Sequence, residues 1–535
     1  MKIIGNIIDI HNKEIYLGEI EFAKTINSIN KIGHEDKKHD YIAPGLVNSH
    51  VHIESTMLSP ADYAKTVVKY GSVASVCDPH EIANVLGVYG IDYMIENGKS
   101  TPYKFYFGAP SCVPATEFET SGFNLNAEVI KSLLKNDDIY FLAEMMNYPG
   151  VINRDKDIIE KVNAGKFFNK LVDGHIPGVK GEDLKKYIEA GITTDHECFT
   201  LEEALEKINY GMKIQIREGS AAKNFNQLYS LIDTHPGKVM LCTDDSHPDD
   251  LLNGHMDVII RKGLEKKCDL FNLLYAAVEV PRKHYNLNVG TLRKEEPADF
   301  IIINNPVDFK VLATYIDGNS VYENGTTKIA NHRLVTINNF ARKELCVDDI
   351  IVNSNKKIPV IKILDGELIT EKIYEKIKIE NSNYVSDVDK DILKMVVASR
   401  YDNSKPAVGF VKNFGLKKGA IASSIAHDSH NIIAVGTSDE MIIKAINEII
   451  NMKGGITACD ENEKLSLQLE IAGLMTNSSV ENVAEIYKKI ENKAKSMGSE
   501  LHAPFMTLSF MSLLVIPELK LSDKGLFDVT KFKFI

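Results

Sequence analysis

The run Asn48-Ser49-His50-Val51-His52 places two imidazoles two residues apart. Side chains at i and i+2 of a β-strand face the same way, so this spacing aims both rings at one point. Neutral imidazole is a ligand for zinc, manganese or iron. The preceding Tyr41-Ile42-Ala43-Pro44-Gly45-Leu46-Val47 reads as a turn into an apolar strand, which favours a buried pair over two exposed loop histidines. Four more ligand-type residues follow other strand-like runs: Glu144 after Tyr140-Phe141-Leu142-Ala143, His175 after Leu171-Val172-Asp173-Gly174, His196 after Gly191-Ile192-Thr193-Thr194-Asp195, and Asp244 after Val239-Met240-Leu241-Cys242-Thr243. A carboxylate directly after four apolar residues is costly to bury unless it is paired or binds a cation. Each of these residues taken singly is more often structural. Four histidines and two carboxylates together exceed the roughly three protein ligands of one catalytic zinc. They predict two metals with Glu144 as the bridging carboxylate, a pair that can deprotonate water at neutral pH. Asp244 would touch one metal, take the water's proton and later pass it to the leaving group. Asp245 is adjacent, but the order Thr-Asp-Asp favours Asp244 as the residue that ends the strand.

Ligands this far apart in sequence need a scaffold that brings strand ends together. Candidate strands lie at 46–52, 72–78, 104–107, 139–144, 169–173, 191–195, 212–217 and 239–244. The markers His50, Asp78, Gly108, Glu144, His175, His196, Arg217 and Asp244 follow one another at spacings of 21 to 36 residues. That is the length of a strand, a helix and two loops, and eight such units predict a closed (β/α)8 barrel with its site at the strands' C-terminal ends. An open doubly wound sheet shares the alternation but leaves the polar strand ends unexplained. Ser59-Pro60 before Ala61-Asp62-Tyr63 predicts a capped helix start. Ile-rich stretches at 2–10 and 14–22, Phe300-Ile301-Ile302-Ile303, and a hairpin at 315–322 turning on Asp317-Gly318 predict a small β-domain interrupted by the barrel. The expected fold is α/β. Residues 1–40 and 281–345 form the discontinuous β-domain, 41–280 the barrel, and 346–535 a separate C-terminal α/β domain with helices at 441–452 and 480–497.

The chain has 535 residues, 44% hydrophobic and 25% charged, with a formal net charge of −12. This excludes a disordered chain and argues against nucleic-acid binding, which needs concentrated positive charge. The longest apolar runs, such as Leu513-Leu514-Val515-Ile516, fall far short of the roughly 20 residues of a membrane span. The N-terminal run is broken by Gly5, Asn6 and Asp9 and is not read as a signal peptide. Seven cysteines without a CxxC pair suggest reduced, buried thiols of a cytoplasmic protein.

Several passages resemble the amidohydrolase superfamily, and within it the bacterial adenine deaminases. They are Pro44-Gly45-Leu46-Val47-Asn48-Ser49-His50-Val51-His52-Ile53-Glu54-Ser55, Asp78-Pro79-His80-Glu81-Ile82-Ala83-Asn84-Val85 and Ala143-Glu144-Met145-Met146-Asn147. Asp173-Gly174-His175, Asp195-His196-Glu197, Arg217-Glu218-Gly219 and Cys242-Thr243-Asp244-Asp245-Ser246-His247-Pro248 follow. So do Ile425-Ala426-His427-Asp428-Ser429-His430-Asn431 and Ile471-Ala472-Gly473-Leu474-Met475, so the likeness spans essentially the whole chain. The resemblance implies hydrolysis of free adenine to hypoxanthine and ammonia by a metal-bound hydroxide, as in purine salvage. It implies two divalent transition-metal ions, manganese or iron ahead of zinc, and a homo-oligomer such as a dimer. One departure is the segment before the barrel, about forty residues, shorter than in the members compared. A rival within the superfamily is a cyclic-amide hydrolase of the dihydroorotase or hydantoinase type; its subtype with a carboxylated lysine is disfavoured because Glu144 stands at the fourth strand's end.

For this chemistry His80 is expected to join Glu144 and Asp244 in catalysis. Asp78, Glu81, Arg217, Glu218 and Asp245 are expected to contact substrate, although Asp78-Pro79 is also a common turn opener. Asp195 and Glu197 flank His196 as possible orienters of its ring. The cluster His427, Asp428 and His430 reads either as a lid or pocket contribution or as a surface turn, with the surface turn preferred. Cys77, Cys198 and Cys242 are expected to be small buried residues rather than nucleophiles.

Overall fold

The structure, a computed structural model, describes residues 1–220, 222–330, 334–355 and 357–535. The chain forms two compact units. The first comprises Met1–Pro79, Asp92–Ser111 and Asn126–Leu334, and the second His80–Ile91, Cys112–Leu125 and Val335–Ile535.

In the first unit, the two flanks of the barrel pair into one eight-stranded sheet. Its strand order is Thr326–Thr327, Asn319–Glu323, Val311–Ile316, Phe300–Ile303, Tyr41–Pro44, Lys2–Asp9, Glu14–Phe22 and Ile26–His34. Antiparallel register joins Phe300 to Pro44, and parallel register joins Asn6 to Tyr41. Ile7, Ile20, Phe22, Ile42, Phe300 and Tyr315 form its core. The expected barrel start at residue 41 therefore shifts, because Tyr41–Pro44 belongs to this sheet and the barrel begins at Leu46. Gly45 makes the passage possible: a Cβ there would meet Val73 Cγ1 at 2.3 Å.

Eight barrel strands follow in order: Leu46–His52, Ser72–Cys77, Lys104–Ala109, Ile139–Met145, Val172–Gly174, Thr194–Asp195, Lys213–Arg217 and Val239–Cys242. Neighbours pair in parallel, and a short strand Asp244–Asp245 pairs back onto Val51 and His52, which closes the ring. A parallel bridge from Val172 to Ile192 links the fifth and sixth positions. Helices cover the outside. The first of them, Pro60–Val67, starts where predicted, with the Ser59 side chain accepting from the Asp62 amide.

The second unit holds an eight-stranded, mostly antiparallel sheet. Its central strands Ile392–Ala398, Ile432–Gly436, Ala420–Ser423 and Gly455–Cys459 are covered by the helix Asp439–Met452. Ile442, Ile446 and Ile449 of that helix bury against Val396, Ile432 and Ala434. Two segments expected to lie in the barrel, 80–91 and 112–125, pack with this unit instead. Short-range periodicity marks them as helix or loop but does not say which core they join. Six of the seven cysteines are buried as expected, while Cys346 is exposed. Among the described residues no helix is long and apolar enough to cross a membrane.

Candidate metal centre

The six expected ligands converge in the first unit. The parallel register slips between Asn48 and Val51, the stretch carrying His50, and such slips re-aim side chains. His50 and His52 then face one another, Nε2 to Nε2 at 3.2 Å. Asp244 Oδ1 lies 3.4 Å from His50 Nε2 and 3.2 Å from His52 Nε2. Glu144 presents its two oxygens to different partners. Oε1 lies 3.3 Å from His52 Nε2, while Oε2 lies 2.9 Å from His175 Nδ1 and 3.3 Å from His196 Nε2. Donors bound about 2.0–2.2 Å from a tetrahedral cation stand about 3.3–3.6 Å apart, so these separations suit atoms sharing metal ions. All six residues are buried except His175, which is partly exposed.

Surrounding groups set the orientation of these ligands. His52 Nδ1 donates to the Asp78 carbonyl at 3.0 Å, which leaves its Nε2 lone pair for the centre. Ser111 Oγ donates to the Glu144 carbonyl at 2.5 Å. Tyr187 Oη donates to the Met145 carbonyl at 2.7 Å and accepts the His175 amide at 3.1 Å. Asn224 ties two loops together: its Oδ1 accepts the Arg217 amide at 2.8 Å, and its Nδ2 donates to the carbonyls of His196 and Cys198 at 3.0 Å. Asp244 has φ of +57°, a left-handed conformation uncommon outside glycine and tolerated best by Asn and Asp.

The charges also fit a cation. Burial opposes ionisation of Glu144, but His175, His196 and His52 outweigh it and hold the carboxyl well below its usual range. Burial likewise opposes ionisation of Asp244, and the Arg217 guanidinium leads the groups that overcome it. Burial would lower His196, yet its bond to Glu144 and the surrounding carboxylate charges raise it to about 9. Burial and the charge of His196 push His50 down to about 4. Two buried carboxylates therefore draw protons onto neighbouring imidazoles, and a metal ion would replace those protons. His196 Nδ1 has no hydrogen-bond partner among the described residues.

The remaining expected site residues have protein partners. Arg217 is buried and corrects its expected role as a substrate contact. Its Nη1 bonds Asp244 and, at 2.5 Å, Glu197 Oε1; Nη2 bonds Glu197 Oε2 at 3.1 Å, and Nε donates to the Ala222 carbonyl at 2.7 Å. The strand end points the guanidinium at two carboxylates, which marks it as a positioning residue for Asp244. Glu218 is paired with Lys262 and lies 3.8 Å from Lys223, and Asp245 accepts from Ser55. Asp78 is buried in the first unit, whereas His80 and Glu81 belong to the second. Glu197 Oε1 lies 3.7 Å from His175 and 3.6 Å from His196. Asp195 does not orient the His196 ring. It accepts the Ile176 amide at 2.8 Å and Lys207 Nζ at 2.9 Å, because consecutive strand residues face opposite ways. The sequence reading missed Asn224, Tyr187 and Lys207, which stand among charged and polar neighbours that mark no site.

Burial pushes the thiols of Cys77, Cys198 and Cys242 well up, as suits inert core residues. The preferred surface-turn reading of the late cluster is overturned. His427, Asp428 and His430 are 8%, 4% and 0% exposed, held between two central strands of the second unit's sheet.

Residues 41–321 match the family model described as Amidohydrolase family, and residues 367–533 the one described as Adenine deaminase C-terminal domain. An adenine deaminase of Methanosarcina mazei is 52% identical over 551 residues, covering 100% of this chain and 99% of that protein. Another, of Borreliella burgdorferi, is 48% identical over 544 residues with the same coverage. The chain belongs to the amidohydrolase family, in its adenine deaminase branch.

Proposed function

We propose that the chain hydrolyses adenine to hypoxanthine and ammonia at a pair of divalent cations held by His50, His52, Glu144, His175, His196 and Asp244. The observation that carries the two-metal reading is the division of the Glu144 carboxylate, Oε1 toward His52 and Oε2 toward His175 and His196. When bound, the cations would acidify water so that it attacks near neutral pH.

The chain's own residues do the rest. Attack at C6 breaks ring aromaticity as a ring nitrogen takes a proton from His80; the C6–N bond then breaks, the amine leaves as ammonia, and the C6 hydroxyl proton freed as the carbonyl forms restores His80. Asp244 accepts the water's proton and returns it to the departing amine. Arg217 keeps Asp244 ionised for that first step, and the Asp78 carbonyl fixes the tautomer of His52. His80 is assigned the ring proton on its sequence position, two residues beyond Asp78. Asp78, Glu218 and Asp245 are retained as substrate-facing polar residues. Manganese or iron as the native ions, purine salvage, a cytoplasmic setting and a homo-oligomer complete the proposal, on the chemistry of the family.

The test is ammonia release from adenine by metal-replete protein, with Asp244→Asn, adenosine and dihydroorotate alongside. Turnover of adenine by the wild type only is expected. Turnover of dihydroorotate with none of adenine would overturn the reading.

A further inference from the structure

The second unit contains a separate set of metal-ligand side chains. Glu81 is the second residue of the segment 80–91, and His427 and His430 sit on the loop between the strands Ala420–Ser423 and Ile432–Gly436. Glu81 Oε1 lies 3.3 Å from His427 Nδ1, and Oε2 lies 3.7 Å from His430 Nε2. One donor atom from each of the three residues falls within 4.8 Å of the others. These are close to the separations of about 3.3–3.6 Å between neighbouring ligands on a tetrahedral cation.

We propose that Glu81, His427 and His430 bind a further divalent transition-metal cation of zinc-like ligand preference. Two imidazoles and one carboxylate are an established donor set for such ions, with a fourth position left for water. The ion-pair alternative accounts for Glu81 and His427 but leaves His430 Nε2 at 3.7 Å from Glu81 Oε2, beyond hydrogen-bond distance. That ring is fully buried, and neither of its nitrogens has a hydrogen-bond partner among the described residues. An imidazole buried without a hydrogen bond is costly, and a cation between it and Glu81 would satisfy it.

The surroundings hold the donors in place. The His427 ring stacks on Phe510 at 4.6 Å, and its amide donates to the Ser509 carbonyl at 3.1 Å. The His430 amide donates to the Ala426 carbonyl at 2.7 Å. Arg400 anchors the loop's base through the Ser424 carbonyl at 3.1 Å and the Ala472 carbonyl at 2.5 Å. A dication here would pin the 80–91 segment to the 427–430 loop.

The proposal uses none of the six residues of the first centre and does not rest on the deamination reading. The full chain is loaded with Co2+, freed of loose ions by gel filtration and counted for metal, as wild type, His430→Asn and His427→Gln. Each variant is expected to hold one equivalent less than wild type at unchanged circular dichroism and to lose a tetrahedral Co2+ absorption band. The double variant His50→Asn/His52→Asn is expected to keep that band. Equal metal counts in wild type and a folded variant overturn the proposal, as does loss of the band in the His50/His52 double variant. If His430→Asn does not fold, the His427→Gln count and the band in the double variant decide in the same way. A failure of the deamination reading would leave the wild-type-to-variant difference intact.

Discussion

Replacing Glu144 by Gln keeps the side chain's shape and removes one charge from the centre. The carboxylate lies 2.9 Å from His175 Nδ1 and 3.3 Å from both His196 Nε2 and His52 Nε2. Its strength can be sized on His196, held at about 9 against an ordinary 6.5. At about 1.36 kcal/mol per pH unit, that is roughly 3 kcal/mol of net attraction, shared with Asp244 and Glu197. A dication carries twice the charge of an imidazolium. Even a half share for Glu144 then costs about 3 kcal/mol of metal binding, on the order of 100-fold in affinity. Equilibrium dialysis of the metal-free variant against Mn2+ should show at least one ion lost at concentrations that saturate wild type. Ammonia release from adenine should be abolished, with circular dichroism unchanged. Wild-type metal affinity with near-normal turnover would refute both the bridge and the charge argument.

Asp244→Asn should fold, since Asn tolerates the left-handed backbone at this position, and should lose on the order of 100-fold or more in turnover, the scale of general acid–base catalysis; normal turnover would remove Asp244 from the proton path. Because His196 keeps a proton up to about 9 in the metal-free centre, metal loading at pH 7–8 should release protons. Affinity should rise with pH up to about 9 and weaken as pH falls, which titration calorimetry in buffers of different ionisation enthalpy would check. Lys520 is fully buried, bonds the Leu368 carbonyl at 2.8 Å as its one partner among the described residues, and is lowered by burial from 10.5 to about 7. Between those values the unfolded chain holds a proton that the folded one lacks, so this group's contribution makes stability rise with pH across that window. Lys520→Met should therefore raise Tm at pH 7, with the gain gone near pH 10.5; an equal gain at both pH values would count against the argument.

Much of the site was readable because its signals are local. The i, i+2 spacing of His50 and His52 needs only the pleat of a strand. Polar residues ending the strand-like runs at Glu144, His196 and Asp244 need only the barrel rule that strands present their C-terminal ends on one face. The spacing of those ends located eight strands, and the Asp317-Gly318 turn and the cap at Ser59 are contacts within a few residues.

Tertiary structure decided what depends on partners far along the chain. Arg217 looked like a group free for substrate until packing set it against Glu197 and Asp244. His427 and His430 looked like a surface turn because a short polar run carries no record of the strands that close over it. The 80–91 segment has a helix's pattern but joins the second unit, since amphipathic spacing shows which face is apolar and not which core receives it. Side-chain type and periodicity travel with the sequence. Hydrogen-bond and charge partners are chosen only when the chain closes, where burial makes each unpaired polar group costly and so selects among many locally equivalent pairings.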